Sequence, residues 1–572
     1  MIYPPFTRRP GLACFLIAAV LDVVMALRDL GGVLGGAFIN PDSYMRIMRL
    51  EESLRSGSAV HMLMRDGSGA GTELYWTHFL DVALLLLSAP FMVFMDLRGA
   101  LHAGGVLLGP VSTGLLGVAL AWACAPFSDP RQRWMAAVMA GASVPITAYG
   151  AAGVVHHHIP VALAIVVTLG WAWRGIAGGA RPGAWMGLAA ACGILLTPEA
   201  MPFLLMGFGG LGVAWMMRPA ERAPAAALRA AGGVFLLVLA VMLAIDPPMA
   251  GYGAAVIDRL SVVWVGLGVA CLAIALALSW CDREMPRSGA MTLLGAGAAV
   301  VCLGLWLAAF PAVAKGPDGL MPKAMAEAFF GGIAEMQPIS SLSDAVTFLT
   351  PGVLALGVVV LLAWRGRSVL GLYAAVCIAV AIGLALAHLR FSTYPALIGA
   401  AVLPVALSAA GGWVALRLVL LVAFISVPPA AAAIGAQHGG PDEPAHCPVA
   451  PVAALLAPYA GEVVMADPNE TPELLYHTGV MTVGSLYHRN AAGFIRLRDA
   501  WRSAPDAGVP EAVRATEARL ILVCPRMQRS ALVRDLPRGT LRDALDAGTP
   551  PSWLRLLGKS AESGHLLYLV VG

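Results

Sequence analysis

Apolar residues run through this chain in long blocks. Segments near residues 12–27, 80–98, 101–126, 133–150, 159–175, 183–197, 201–217, 226–246, 261–280, 291–310, 346–364, 369–387, 393–411 and 413–434 are nearly continuous in them. A helix of about 17 to 25 such residues covers a hydrocarbon core roughly 30 Å thick while satisfying its own backbone hydrogen bonds. The pattern therefore predicts a polytopic α-helical membrane protein over residues 1–435. From residue 436 to Gly572 the runs shorten and mix with Pro, Arg and Asp, and stretches such as Leu520-Ile521-Leu522-Val523 read as buried strands. A small soluble α/β domain is expected there.

Composition agrees. With 59% hydrophobic and 12% charged residues among 572, the chain is neither a soluble globular protein nor a disordered one. A net charge of +3 gives no reason to expect nucleic acid. The arginines mark topology instead: Arg131 and Arg133, Arg174 and Arg181, Arg218 with Arg222 and Arg229, Arg283 and Arg287, and Arg365 and Arg367 fill alternate short loops, the positive-inside pattern. That pattern requires one apolar segment before residue 131 not to cross. Segment 80–98 fits, being bounded by His78, Asp81 and Asp96, and is read as interfacial or re-entrant. Thirteen spans follow, about an uncleaved first helix preceded by Arg8 and Arg9. The N-terminus is then cytoplasmic, the C-terminal domain lies outside, and a bacterial-type inner (plasma) membrane is the expected location.

This topology gathers candidate chemistry on the outer side. The loops at 28–100, His156, Glu199, 247–260, 311–345 and His388-Leu389-Arg390 all face that way. Glu335, in Phe329-Phe330-Gly331-Gly332-Ile333-Ala334-Glu335-Met336-Gln337-Pro338, is an acid held beside the bilayer, which is costly without a use; the alternative is a solvated loop glutamate. Asp42, in Asn40-Pro41-Asp42-Ser43-Tyr44, reads as a metal ligand or as a cap on the helix through Arg46 and Arg49. In His156-His157-His158 an extended turn would point His156 and His158 to one side and His157 to the other; packing histidines are the alternative. Asp42, His156, His158 and Glu335 together would make a mixed nitrogen and oxygen site for a divalent metal, Mn²⁺ or Mg²⁺ by its carboxylates, with Zn²⁺ or Fe²⁺ open because of the imidazoles. Arg390, with His388 nearby, suits a phosphate oxygen, against the reading of an arginine snorkelling from a helix end. Seven of the nine cysteines lie in or beside apolar helices; Cys447 and Cys524 both precede proline in the tail and are expected to be bridged if that tail is outside.

Asp42-Ser43-Tyr44, the Gly153-Val154-Val155-His156-His157-His158 turn and Gly332-Ile333-Ala334-Glu335-Met336-Gln337-Pro338 resemble, in order and placement, the motifs of the oligosaccharyltransferase catalytic subunits. These belong to the GT-C superfamily of polyprenyl-linked-sugar glycosyltransferases. The resemblance implies a GT-C fold with a soluble outer domain, a polyprenyl-(pyro)phosphate sugar donor held within membrane lipid, and an extracytoplasmic glycan, lipid or protein acceptor. It also implies a divalent metal, catalytic roles for Asp42 and Glu335, and Arg390 near the donor phosphate. Two departures stand out. His156 and His158 replace the family's second-loop acids, and the Trp-Trp-Asp-Tyr-Gly acceptor motif is absent, its place holding Val463-Val464-Met465-Ala466-Asp467-Pro468-Asn469-Glu470-Thr471-Pro472-Glu473, followed by Tyr476-His477-Thr478 and Tyr487-His488-Arg489-Asn490. The implied activity is lipid-linked-sugar transfer and does not extend to protein N-glycosylation. A lipid-linked-glycan transporter or flippase, or a pseudoenzyme of the same fold, is the alternative.

Overall fold

The computed structural model describes residues 9–571 except 218–220, 286–287, 317–319, 322, 332, 438–446, 506–507, 526, 528 and 530–536. Arg8, Arg218, Arg287 and Gly332 of the sequence reading lie outside the described residues. Among the described residues ten helices are long and apolar enough to cross a membrane, from Leu97–Phe127 to Val414–Gly435. An eleventh arises if Pro10–Met25 and Leu27–Leu34 are taken as one span, but the two meet at 82°, where Arg28 and Asp29 follow the apolar run. Two more expected spans are short or broken. Ala180–Leu196 has 17 residues, and 133–150 divides at Ser143 into Trp134–Ala142 and Val144–Gly150. Pro145 explains the division: with no N–H it cannot continue the hydrogen bonding of the preceding helix, but it fits the first turn of a new one. The segment expected not to cross is the helix Phe79–Ser88, only 10 residues and about 15 Å long. Asp96 then starts the next helix by accepting the Gly99 N–H at 3.0 Å.

Small residues set the helix spacing. A Cβ on Gly183 or Gly187 would lie 2.1 or 2.2 Å from the carbonyl oxygens of Ala227 and Ala231. These helices meet backbone to backbone, which is how association proceeds where lipid is as apolar as leucine. Gly109 does the same against Gly150, at 2.0 Å from its carbonyl oxygen, and so fixes the end of the helix that leads into the His156 turn.

The C-terminal domain is a five-stranded mixed sheet. Its strands are β3 (Val463–Met465), β4 (Met481–Thr482), β5 (Leu520–Val523), β6 (Leu554–Lys559) and β7 (Leu566–Val570), in the order β4-β3-β5-β7-β6. β3 runs parallel to β4 and β5, and β7 antiparallel to β5 and β6. Ile521 and Val523 pack into one core with Phe494 and Trp501, while Leu520 and Leu522 pack into another with Leu456 and Leu474. Burial on both faces is why these strands read as unbroken apolar runs. Cys447 and Cys524 are disulfide-bonded, with Cα atoms 6.6 Å apart, as expected.

The domain is seated on the helical bundle through a two-stranded hairpin of the first long loop, β1 (Met62–Leu63) and β2 (Thr72–Glu73). Asp66 at its tip is fully buried and accepts hydrogen bonds from the Gly67 N–H, Thr72 and, across the junction, Thr482 and Ser485. Arg65 donates to the carbonyls of Leu475 and Thr478, both at 2.7 Å. Phe329, from the helix Lys323–Phe330, enters the same domain's core against Phe494. The loop that carries Glu335 is thereby tied to the C-terminal domain.

Candidate active site on the face beneath the C-terminal domain

The helix Pro41–Ser56 is capped by Asn40, whose side chain accepts the Ser43 N–H at 3.1 Å. The cap expected of Asp42 therefore belongs to Asn40, and the Asp42 carboxylate is free for other work. Its Oδ2 lies 2.8 Å from His156 Nε2 and its Oδ1 accepts from the Tyr487 hydroxyl at 2.6 Å. Burial pushes this carboxyl up, but the bonds from His156 and Tyr487 and the nearby Arg46 charge outweigh it, so Asp42 is held below the usual carboxylate range.

The histidine run differs from expectation. His157 has helical backbone angles, because the helix His158–Gly178 begins directly after it. A helical turn does not alternate sides, so all three rings stack on one side, with centroids 4.3 to 4.8 Å apart and ring nitrogens within 4.8 Å of one another. Partner chemistry separates their roles. Arg46 Nη2 lies 2.9 Å from His157 Nδ1, and a guanidinium only donates, so His157 Nδ1 accepts and its proton sits on Nε2. Burial, then the neighbouring histidines and Arg46, keep this ring neutral, well below the ordinary histidine range. A carboxylate only accepts, so His156 carries its proton on Nε2, toward Asp42, and presents a lone pair at Nδ1. His156 Nδ1 and His158 Nε2 are buried and have no hydrogen-bond partner among the described residues.

Glu335 stands in the turn Ala334–Met336 and accepts from the Tyr149 hydroxyl at 2.8 Å. Tyr149 in turn packs its ring on His158, 4.1 Å between centroids, and so links the histidine turn to the Glu335 loop. Arg390 Nη2 pairs with Glu199 Oε2 at 2.7 Å, while its Nη1 stands 3.9 Å from Glu335 Oε1. Its Nε is buried without a partner among the described residues. This arginine is bound between two acids and does not snorkel. His388 gives one nitrogen, Nδ1, to the Met336 carbonyl at 2.8 Å and, with the Leu389 N–H on the Gln337 carbonyl, holds the Glu335 loop in place. It also lines a cavity of about 400 Å³ with Lys315, Lys323, Phe330 and Gln337.

All the expected residues thus lie on one face, with Asp42 bonded to His156 and Glu335 one tyrosine away from His158. Tyr149, Glu199, Arg46 and Tyr487 join them unannounced by any motif. Glu199 had a signal, being an acid in a turn read as outer; Tyr487 stood in the segment noted where the acceptor motif is absent, but nothing local paired it with Asp42, since it arrives from the other domain. Its segment is anchored by His488 and Arg489, both on Asp258, by Arg489 on Glu73 at 2.7 Å, and by Asn490 on Thr72.

No protein-family model and no curated protein sequence matches the chain. Solved structures do. The archaeal oligosaccharyltransferase AglB of Archaeoglobus fulgidus, in complex with an inhibitory peptide and a dolichol-phosphate, aligns with a TM-score of 0.75 at 14% identity, over 97% of this chain and 80% of that one. The Archaeoglobus fulgidus oligosaccharyltransferase in complex with Zn and sulfate aligns at 0.69 and 14%, over 96% and 79%. The same enzyme tethered to an acceptor peptide containing the NVT sequon aligns at 0.67 and 13%, over 99% and 74%. At this identity the likeness concerns architecture, and it covers both the helical bundle and the C-terminal domain: the chain has the fold of these archaeal oligosaccharyltransferase structures.

Proposed function

We propose that the protein is a membrane glycosyltransferase that moves a sugar or oligosaccharide from a polyprenyl-(pyro)phosphate donor to an acceptor on the outer face of a bacterial-type inner membrane. The observation that carries this reading is the joining of Asp42, the histidine turn, Glu335 and the acid-paired Arg390 on one face of an oligosaccharyltransferase fold. Arg390 supplies a planar donor for the leaving phosphate, exchanging Glu199 for phosphate oxygens of the same geometry. Glu335 Oε1 is beyond hydrogen-bond distance of Arg390, so it is the oxygen placed to take the acceptor's proton as the anomeric carbon leaves the phosphate and bonds to the acceptor. Both Asp42 oxygens are engaged, by His156 and Tyr487, which makes Asp42 the residue that orients and holds.

A divalent metal belongs to this reading. The ring nitrogens of His156, His157 and His158 lie within 4.8 Å of one another, His156 Nδ1 and His158 Nε2 are buried without partners among the described residues, and these two with Asp42, bonded to His156 through its other nitrogen, and Glu335 are the residues that would hold it. The imidazoles favour Mn²⁺, Fe²⁺ or Zn²⁺ over Mg²⁺. When bound, the metal supplies positive charge for the leaving phosphate. Lacking the Trp-Trp-Asp-Tyr-Gly motif, the chain offers Tyr487-His488-Arg489-Asn490 in its place, and the acceptor class follows from what that segment admits.

The test uses purified protein in vesicles with a labelled lipid-linked donor. Transfer is expected, with Glu335→Gln and Arg390→Ala each lowering kcat by about 100-fold or more, as loss of one transition-state contact does. EDTA should abolish it, and activity retained in EDTA would remove the metal. Translocation without bond cleavage would make the protein a flippase, and neither event would make it a pseudoenzyme.

A further inference from the structure

Away from that face, a second group of ligating side chains sits where the first long loop meets the connection between the helices Ala223–Ile245 and Val262–Glu284. His61, His78 and Asp246 each bring a ring nitrogen or carboxylate oxygen to within 4.8 Å of the others. The His78 backbone N–H donates to Asp246 Oδ2 at 2.8 Å, which fixes the carboxylate against the loop. His78 Nε2 lies 3.2 Å from the Val60 carbonyl oxygen. A carbonyl only accepts, so Nε2 carries the proton, and in the neutral ring Nδ1 holds a lone pair. That lone pair meets Asp246 Oδ1 at 3.3 Å, an atom that also only accepts.

Two acceptors in contact call for a positive group, either a second ring proton or a metal ion. His61 distinguishes the two. It packs edge-on against His78, with centroids 4.7 Å apart, and its Nδ1 is buried with no hydrogen-bond partner among the described residues. A proton on His78 would satisfy Asp246 and leave His61 as it is. A metal would satisfy all three groups. Arg259 Nη2 donates to Asp246 Oδ1 at 2.8 Å, the outer hydrogen bond that orients a ligating carboxylate.

We infer that His61, His78 and Asp246 form a metal site of the zinc class, separate from the Asp42 and Glu335 face. Two imidazoles and one carboxylate are a borderline donor set that suits Zn²⁺ and disfavours Mg²⁺, and both histidines are only half-buried, so a water can complete a tetrahedron. The site is a clamp. It joins the first long loop to the connection that carries Asp258, and Asp258 anchors the segment that delivers Tyr487 to Asp42.

The test is a Zn²⁺ titration of metal-stripped, detergent-solubilised full chain, read by elemental analysis, in wild type and in a His156→Ala, His158→Ala background. That background removes the other candidate site, so the two readings fail independently. A single tightly bound zinc is expected to remain in it. His61→Ala, which breaks no hydrogen bond among the described residues, should then weaken zinc binding by more than the about 100-fold that loss of an outer-shell partner produces. Co²⁺ should give tetrahedral visible absorption that His61→Ala abolishes, and Mg²⁺ should not compete. His61→Gln replaces the alanine variant if that variant's metal-free melting temperature differs from wild type. No zinc in the double-variant background, or equal affinity without His61, would overturn the site.

Discussion

At the scale of single residues, the histidine run shows how partner chemistry assigns roles that spacing cannot. Arg46 is buried, stacks on Trp76 at 3.8 Å and is already donating to His157, so His157 serves the fold. His156 and His158 each keep a buried nitrogen without a partner among the described residues, which leaves them for the proposed metal. His157→Ala is expected to keep metal affinity but to lose about 1 to 3 kcal/mol of stability, the cost of leaving the buried Arg46 donor unpaired. His156→Ala and His158→Ala should do the reverse, with metal-dependent transfer falling steeply and melting temperature nearly unchanged. Metal titration beside thermal melts checks both, and equal loss of metal in all three variants would contradict the division. The tertiary fold also settled which of Asn40 and Asp42 caps the helix, because Asp42 has better partners in His156 and Tyr487.

At the scale of elements, the candidate active face depends on where helices end. The helix Val144–Gly150 stops at Gly150, whose carbonyl sits where a side chain on Gly109 would be. Gly109→Ala should therefore push the two helices apart, cost about 1 to 3 kcal/mol as overpacking does, and displace Tyr149 and the turn that follows. Gly297→Ala is the control: it too lies inside a helix, and nothing stands within 4 Å of its Cβ position. Thermal melts with a transfer assay should show Gly109→Ala impaired in both and Gly297→Ala in neither. Element lengths explain the span count as well. Ten helices pass on length and composition, and the remainder of the expected thirteen are bent at residue 26, broken at Ser143 or one residue short. Cysteine-labelling from each side of the membrane should find the C-terminal domain and the 247–260 loop on one side and the 131–133 loop on the other.

At the scale of the whole molecule, the seat of the C-terminal domain decides whether Tyr487 reaches Asp42. Asp258 is its lock: burial raises this carboxyl, but His488 and Arg489 outweigh burial and bring it to about 2. A carboxyl lowered in the folded state adds stability above its unfolded value of about 3.9 and loses it as pH falls through the folded value. The lock is therefore at full strength near neutral pH and fails between about pH 4 and 2. Asp258→Asn should remove on the order of 2 kcal/mol at pH 7 and flatten that acid limb, as read by pH-dependent melts of the two proteins. An unchanged acid limb in the variant would show that other carboxylates govern it.

Membrane class and the disulfide partners were legible in the amino-acid order, and Asp42, His156, His158, Glu335 and Arg390 could be nominated from it as candidates. Each rests on a local property: the length of an apolar run, the sign of a loop charge, or a polar group costly to keep beside lipid. What the order left open is everything set by partners distant in the chain. Tyr487 meets Asp42 across 445 positions, Asp66 meets Ser485 across 419, and Glu335 meets Tyr149 across 186. No periodicity records such pairings, because hydrogen bonds depend on geometry that only close packing creates. The same reason overturned the expected side of His157, whose direction was decided by a helix starting one residue later. The sequence alone thus determined the membrane class and nominated the polar groups; the tertiary structure decided which of them are bound to each other and which nitrogens lack a partner among the described residues.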